Sequence, residues 1–313
     1  MTQQPRIVVL GSINLDLVAN CDQLPRPGET LTAKAYREVF GGKGANQAIA
    51  AARAGGAVQM IGRVGDDAVA ARLRQNLQAN RIDCSAVLTS ASCPSGLAML
   101  VVDNAGENQI VVVPGANALV TPEDVDRYAD LIGASDCLLV QLEVPLATVV
   151  HAVEIARRLG VRVILDPAPV PSGAIPESLL SVDFLCPNET EAMRLAGVAD
   201  ETPESMEIAA QRLHDRGARQ VAITRGADGT LLHDGRCTRN VDTLSITAVD
   251  CTGAGDAFAG AFAVCWAETN DLLHAVRWGN VAGALAASRH GAQDGIPARA
   301  DIDDTYRKSR AAR

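Results

Sequence analysis

Strand-length apolar runs separated by longer amphipathic stretches set the first limit on what this chain can fold into. RIVVLG, AVQMIGRVG, DCLLVQL, VRVILDP, DFLCPN and RQVAITRG are short and apolar. Between them KGANQAIAAARAGG, DDAVAARLRQNLQAN, PLATVVHAVEIARRLG, ETEAMRLAG and PESMEIAAQRLHDRG carry helical spacing. This order predicts an α/β fold: a doubly wound, mostly parallel sheet flanked by helices, because parallel neighbours need a long crossover. Gly160 and Gly217 stand where two helices should stop. A chain of 313 residues can bury the core of one large α/β unit, so a single domain over 1–313 is expected.

Two stretches break the rhythm. Residues 14–40 and 95–113 contain short alternating segments and turn residues, the second with a hairpin around Asn104 to Glu107. They read as ordinary edge hairpins or as a small projecting β-sheet, which would suit a lid over a substrate. From Gly253 to Arg289 the chain is Ala-rich and reads as two closely packed helices, and the polar tail from Asp301 is expected to fray.

The formal net charge is −9, which gives no overall attraction to nucleic acid or to anionic membranes. No stretch is long enough to span a bilayer, and MTQQPRIVVLGS lacks the apolar core of a leader. Eight scattered cysteines without a CxxC read as reduced thiols in a cytoplasmic protein. The five histidines show no metal-ligand spacing.

Neither GxGxxG nor GxxxxGK[ST] is present, so any phosphate site must be built differently and a dinucleotide-dependent oxidoreductase is disfavoured. DCTGAGDAFAG offers bare amides at Gly253, Ala254 and Gly255, at the start of a helix, yet adds the carboxylate of Asp256. It can be an anion site or an ordinary acidic first turn. FGGKGANQA combines flexible Gly41, Gly42 and Gly44 with Lys43 and Asn46, a mixture that suits a polyhydroxylated ligand or a plain glycine-rich turn. Asn14 and Asp16 lie two apart after the first strand and would face one side, to grip vicinal hydroxyls or to form a turn. Glu143 ends LLVQLE, where ligand residues of such sheets gather. Asn188 and Glu191 in NETE fit a capping box, and Thr224 to Gly229 (TRGADG) fit either a phosphate-facing turn or a hairpin.

Together GGKGANQA near the N-terminus and DCTGAGDAFAG near the C-terminus resemble the paired signatures of the ribokinase-like, or phosphofructokinase-B, sugar kinases. The resemblance runs from GSINLDLVA through PGETL, VGDD, PGAN, LDPAP, NETE and TRGADG to RHGAQ. It implies ATP-dependent phosphorylation of D-ribose at O5. Deoxyribose, another sugar or a nucleoside is the alternative within the family, and a non-catalytic sugar-binding regulator is the alternative outside it.

By this resemblance Asp256 is the catalytic base, and Gly253, Ala254 and Gly255 form an anion hole. Asn14, Asp16, Gly42, Lys43, Asn46 and Glu143 bind the sugar together with Asp256. Asn188, Thr224, Arg225, Gly226, Ala227, Asp228, Gly229, Gly255 and Asn280 contact ATP. Glu191 acts on Mg2+ through water. Asp250, Thr252, Ala286, Arg289, Gly291 and Gly295 surround an activating K+, mostly with carbonyl oxygens. The resemblance also implies a homodimer formed through the lid. Cys251 stands where the family commonly has Thr, and Ala259 where it has Asn.

Overall fold

The computed structural model describes residues 4–199 and 202–311. Residues 1–3, 200, 201, 312 and 313, which the expected domain included, lie outside the described residues. The first seven strands are β1 (Arg6–Leu10), β2 (Asn14–Asn20), β3 (Ala35–Gly41), β4 (Ala57–Val64), β5 (Val87–Thr89), β6 (Gly96–Val102) and β7 (Asn108–Val113). Then follow β8 (Cys137–Val140), β9 (Arg162–Leu165), β10 (Phe184–Leu185), β11 (Val221–Thr224), β12 (Thr230–His233) and β13 (Thr238–Val241).

Nine of these form one sheet in the order β13-β12-β11-β10-β9-β8-β1-β4-β5. Neighbours from β11 to β5 are parallel, and β12 and β13 close one edge antiparallel. The parallel strands lack polar alternation because both faces are covered. In β1, Ile7 and Val9 enter the core beside the helices Lys43–Arg53 and Ala254–Thr269. Val8 and Leu10 enter the opposite core, beside Leu146–Arg158 and Pro203–Asp215. The chain builds outward from β1 in one direction to β4 and β5, then returns to β8 on the other side. That reversal opens a crevice beyond the carboxyl ends of β1 and β8, the place where such sheets collect ligands.

The second sheet has the order β3-β2-β6-β7. It contains the two stretches that broke the rhythm, but not as separate hairpins: β2 pairs antiparallel with β3 and parallel with β6. The hairpin between β6 and β7 is present, with Asp103 Oδ1 accepting from Ala105 N at 2.8 Å and Glu107 N at 3.0 Å. Asp67 fixes the entry to β6 by accepting from Ser95 N at 2.7 Å and Ser95 Oγ at 2.8 Å, while also capping its own helix through Ala70 N at 2.9 Å.

Small residues bring the Ala-rich helices together. A Cβ on Gly260 would stand 2.5 Å from that of Ala50, and one on Gly279 would stand 2.9 Å from the Phe258 ring. Ala254–Thr269 therefore touches both Lys43–Arg53 and Leu272–Ala287, with Ala259 buried in the packing. Phe262 stacks on Phe184 with centroids 3.8 Å apart and anchors this layer to the sheet.

The tail corrects the expectation of fraying. Arg299–Ala311 is a helix whose buried Ile302 joins the core, and Asp303 accepts from Trp278 Nε1 at 3.1 Å. Arg299 donates to Glu268 at 2.6 and 2.8 Å. A sparse apolar stripe with charged anchors suffices, which polarity alone concealed. The eight cysteines are all unpaired, and five are buried.

Candidate active site

The crevice begins at the glycine-rich turn before the Lys43–Arg53 helix. Gly42 has φ 88°, and a Cβ there would lie 2.8 Å from Asn14 N, so this position can supply no side-chain cap. Groups from the loops that follow β1 and β8 satisfy the orphan amides instead. Glu143 Oε2 accepts from Lys43 N at 2.9 Å and from Ser12 Oγ at 2.5 Å, and Ser12 Oγ accepts from Gly44 N at 3.3 Å. Glu143 thus clamps the turn with one oxygen, and among the described residues no protein donor takes the other.

Asp256 is the third residue of the Ala254–Thr269 helix and is only 5% exposed. Its Oδ2 accepts from Asn46 Nδ2 at 2.9 Å, and its Oδ1 accepts from Gln47 Nε2 at 3.0 Å. The same Gln47 nitrogen donates to Asp166 Oδ2 at 2.7 Å, and Gln47 Oε1 accepts from Gln141 Nε2. Asn46 Oδ1 accepts from Gln293 Nε2 at 2.9 Å. Both ends of the Asn46 amide are therefore engaged within the protein, and its principal contact is Asp256.

Lys43 Nζ lies 3.8 Å from Asp166 Oδ2. Burial works against its charge, but Asp166, Asp256, Glu143 and Glu191 outweigh that effect and hold its pKa above the ordinary value. Burial raises the Asp256 carboxyl, opposed by Lys43 and by the amides of Asn46 and Gln47. Asp166 is pushed up to about 7 by burial, against the pull of Lys43.

The small sheet supplies the wall across from these groups. Asn14 is buried, and its Oδ1 accepts from Asn117 Nδ2 at 2.7 Å, which turns its own Nδ2 outward as a donor. A Cβ on Gly96 would come within 2.2 Å of both amides, so glycine makes this pairing possible. Asp16 Oδ1 is buried with no hydrogen-bond partner among the described residues. Burial, with the charge of Glu143 adding to it, pushes the Asp16 carboxyl up to about 7. An orphaned carboxylate oxygen beside an unspent amide marks a place for ligand hydroxyls.

On the other side of Asp256 lies a cleft of about 420 Å³. Thr224, Gly226, Ala227 and Gly229 line one part of it, and Ala254, Gly255 and Cys251 line another. Phe258, Leu244 and Ile246 make it largely apolar, which suits a flat base with its phosphates on the helix start. The 224–229 turn is also the hairpin between β11 and β12. Asn280 lines the cleft but is spent internally, donating to Val241 O at 3.0 Å and accepting from Thr230 Oγ1 at 2.6 Å. Asn188 and Glu191 form the capping box, with bonds of 2.8 and 2.9 Å. The Glu191 charge nevertheless reaches Lys43 and Asp166.

Asp250 ties two loops together, accepting from Thr252 N at 3.0 Å and Gly291 N at 2.9 Å. Burial alone would raise its pKa, but these donors and the Arg37 charge hold it below the ordinary value. A Cβ placed on Gly295 would lie 2.8 Å from Gly291 O and 3.1 Å from Ala286 O, and these oxygens accept from Gly295 N at 2.9 Å and Arg289 N at 3.0 Å. The Arg289 side chain turns to Asp301, at 3.1 Å.

Asn14, Asp16, Lys43, Asn46, Glu143 and Asp256 thus gather around the crevice, as their motifs implied, while Arg225 turns away to Asn240 Oδ1 at 2.9 Å. Sequence reasoning missed Gln47, Gln141 and Asp166. The available signal was a polar residue inside a run otherwise fit for the core, as in LLVQLE and VILDP.

A polar half-site and an apolar cleft that meet at one buried carboxylate define a small-molecule kinase. The chain belongs to the pfkB family of carbohydrate kinases, whose profile matches residues 4–299. A ribokinase from Haemophilus influenzae is 39% identical over 94% of this chain and 95% of its own length. A deoxyribokinase from Salmonella typhimurium is 36% identical over 93% and 95%. The structure of Arabidopsis thaliana ribokinase complexed with ribose and ATP superposes with a TM-score of 0.90 at 31% identity, covering 97% of this chain and 99% of that one.

Proposed function

We propose that the protein is an ATP-dependent ribokinase that converts D-ribose to D-ribose 5-phosphate. The observation that carries this reading is the position of Asp256. It directly follows Ala254 and Gly255, which line the apolar cleft, yet its carboxylate sits among the polar groups of the opposite half-site.

The sugar is held by Asn14 Nδ2, the unpartnered Asp16 oxygen, the free Glu143 oxygen and the Lys43 ammonium. Asp256 accepts the O5 proton as the bond to phosphorus forms. The amides of Gly253 and Gly255 stabilise charge on the transferred phosphoryl group, whereas the Ala254 amide, expected to be bare, donates to Cys251 O at 3.2 Å and would have to leave it to join them. The nucleotide occupies the cleft, with the Thr224 to Gly229 turn and Asn188 beside its phosphates and Asn280 holding the cleft wall.

The cation calls fit the donors present. Glu191 has one oxygen engaged by Asn188 N and one without a protein donor among the described residues, and an all-oxygen, water-mediated shell suits Mg2+. That ion would neutralise charge on the ATP phosphates. The neighbouring Ala286 and Gly291 carbonyls, each with a lone pair beyond its backbone bond, and Asp250, bonded to Gly291 N, suit K+, which would steady the 250–253 loop. Thr252, Arg289 and Gly295 complete that loop pair.

Lid pairing between two copies is supported by β7, an edge strand whose Ile110, Val111 and Val112 are 53%, 58% and 49% exposed. Eight unpaired cysteines agree with a cytoplasmic location. Among the described residues no helix is long and apolar enough to cross a membrane.

Asp256→Asn is the direct test. It is expected to lower kcat with ribose and ATP by about 10²- to 10⁴-fold while leaving ribose affinity largely intact. Retention of most of the turnover would sink the mechanism. The deoxyribokinase relative makes 2-deoxyribose the second reading. Ribose should lead in kcat/KM, because a site built to bond a hydroxyl rejects the analogue lacking it. A higher value for 2-deoxyribose would transfer the assignment.

A further inference from the structure

Two buried carboxylates, Asp166 and Asp256, accept from one nitrogen, Gln47 Nε2, at 2.7 and 3.0 Å. Each uses one of its two hydrogens, because an amide nitrogen has only two to give. Gln47 cannot rotate to present its oxygen instead, since Oε1 is already the acceptor for Gln141 Nε2. Gln47 and Gln141 are both fully buried, so neither can exchange these partners for water.

We propose that Gln47 is the positioning residue of this site, its amide holding the Asp256 carboxylate in one orientation and preventing Asp256 and Asp166 from sharing a proton. The inference rests on the reading of Asp256 as the base. It concerns what keeps that base ionised and aimed.

Without the bridge, the two carboxylates would face each other in a dry site, where like charges ionise one at a time. The remaining charged groups around Asp256 are Lys43 on the Lys43–Arg53 helix and Glu143 after β8, with Glu191 beyond β10 acting on Lys43 and Asp166. The buried Cys186 thiol lies in the same field, and its pKa is raised by burial and by Asp166. Lys43 is the only cation among them, and four carboxylates already draw on it. Loss of a hydrogen bond to a charged group raises the pH at which Asp256 ionises by about one to two units.

The experiment is the pH profile of kcat for Gln47→Met, Gln47→Glu and Gln141→Met, each checked for folding by thermal melting. Gln47→Met keeps the shape and removes both donors. Its acid limb should move up by about one unit or more, with kcat at pH 7 down at least about tenfold and recovering toward pH 9. The KM for ribose should stay within about threefold. Gln47→Glu should shift further, because it adds a third carboxylate. Gln141→Met frees the Gln47 amide to turn and should shift less, in the same direction, which keeps the test decisive if the Gln47 variants do not fold.

An acid limb that stays in place in the folded variants, whatever the drop in kcat, overturns the inference and leaves Gln47 as core packing. Asp256→Asn, measured alongside, separates the two failures. If Asp256→Asn is inactive and the Gln47 limb does not move, only the positioning role falls. If Asp256→Asn keeps its turnover, the assignment of the base has failed.

Discussion

The two halves of the site are built from different materials. Facing the sugar, side chains do nearly everything: Asp256, Asp166, Asn46, Gln47 and Gln293 form one buried chain in which every bond is donated from a particular side-chain amide. Facing the nucleotide, backbone and small residues dominate, and the polar side chain of Asn280 is spent on holding the wall. Low dielectric makes the first half strong when complete and costly when broken. The second half depends on the path of the chain and should tolerate changes of side chain that leave that path alone.

Lys43→Met should break the sugar half most severely. Four carboxylates depend on this ammonium, and removing one member of a buried charged set leaves the others uncompensated. A fall in kcat of about 10²- to 10³-fold is expected, on the scale of losing one preorganised electrostatic group. The loss should be greater at pH 6 than at pH 8.5, since Asp256 would hold its proton to higher pH. A loss below tenfold, or one without pH dependence, would mean that the network is less coupled than its geometry implies.

Asp16→Asn sharpens the same half with a smaller effect and a change of opposite sign in stability. The Asp16 carboxyl is pushed up to about 7 by burial and by Glu143. An unfolded chain releases this proton near pH 3.9, so between about 4 and 7 the native state binds a proton that the unfolded state has lost. Native stability therefore falls as pH rises through that window. The neutral variant escapes this cost: its melting temperature should exceed that of the wild type at pH 8, with the gap closing toward pH 4. Ribose KM should rise about ten- to a hundredfold if the orphaned oxygen meets the hydroxyls as proposed. Equal melting curves at both pH values would show that Asp16 is solvated after all.

The same division explains what could be read from the sequence. The sheet was legible because β8, β9 and β11 are apolar without alternation, and the crevice was legible because GGKGANQA and DCTGAGDAFAG are backbone devices with strict residue demands. The partners of Asp256 were not. Gln141 and Asp166 lie 115 and 90 residues upstream of it, in runs that read as core, and only the β8–β9 pairing brings them under the Lys43–Arg53 helix. Glu143 was placed correctly as a crevice residue, but its capping of that helix follows from the φ of Gly42, which no single residue type announces. Asn188 and Glu191 show the converse: the capping box was visible in NETE, while the reach of the Glu191 charge to Lys43 required the fold.

Cys251→Thr is the smallest expected effect and the fairest test of the nucleotide half. Cys251 is exposed and lines the cleft, at a position where a hydroxyl would be the familiar choice. Its contribution to the loop comes from the carbonyl, which accepts from Ala254 N at 3.2 Å and so helps set the αL turn at Gly253, φ 78°. Asp250 fixes the same loop by accepting from Thr252 N and Gly291 N and from the Thr252 side chain. None of these bonds involves the thiol. Replacing it with a hydroxyl of similar size should leave kcat within about twofold and the KM for ATP within about threefold, the range of a surface change that spares backbone and burial. The apparent affinity for K+ should stay equally close, because the carbonyls and Asp250 that would face the ion are untouched. A tenfold change in any of these constants would show that the side chain at 251 takes part directly, and the contrast between a side-chain half and a backbone half would then hold for the sugar alone.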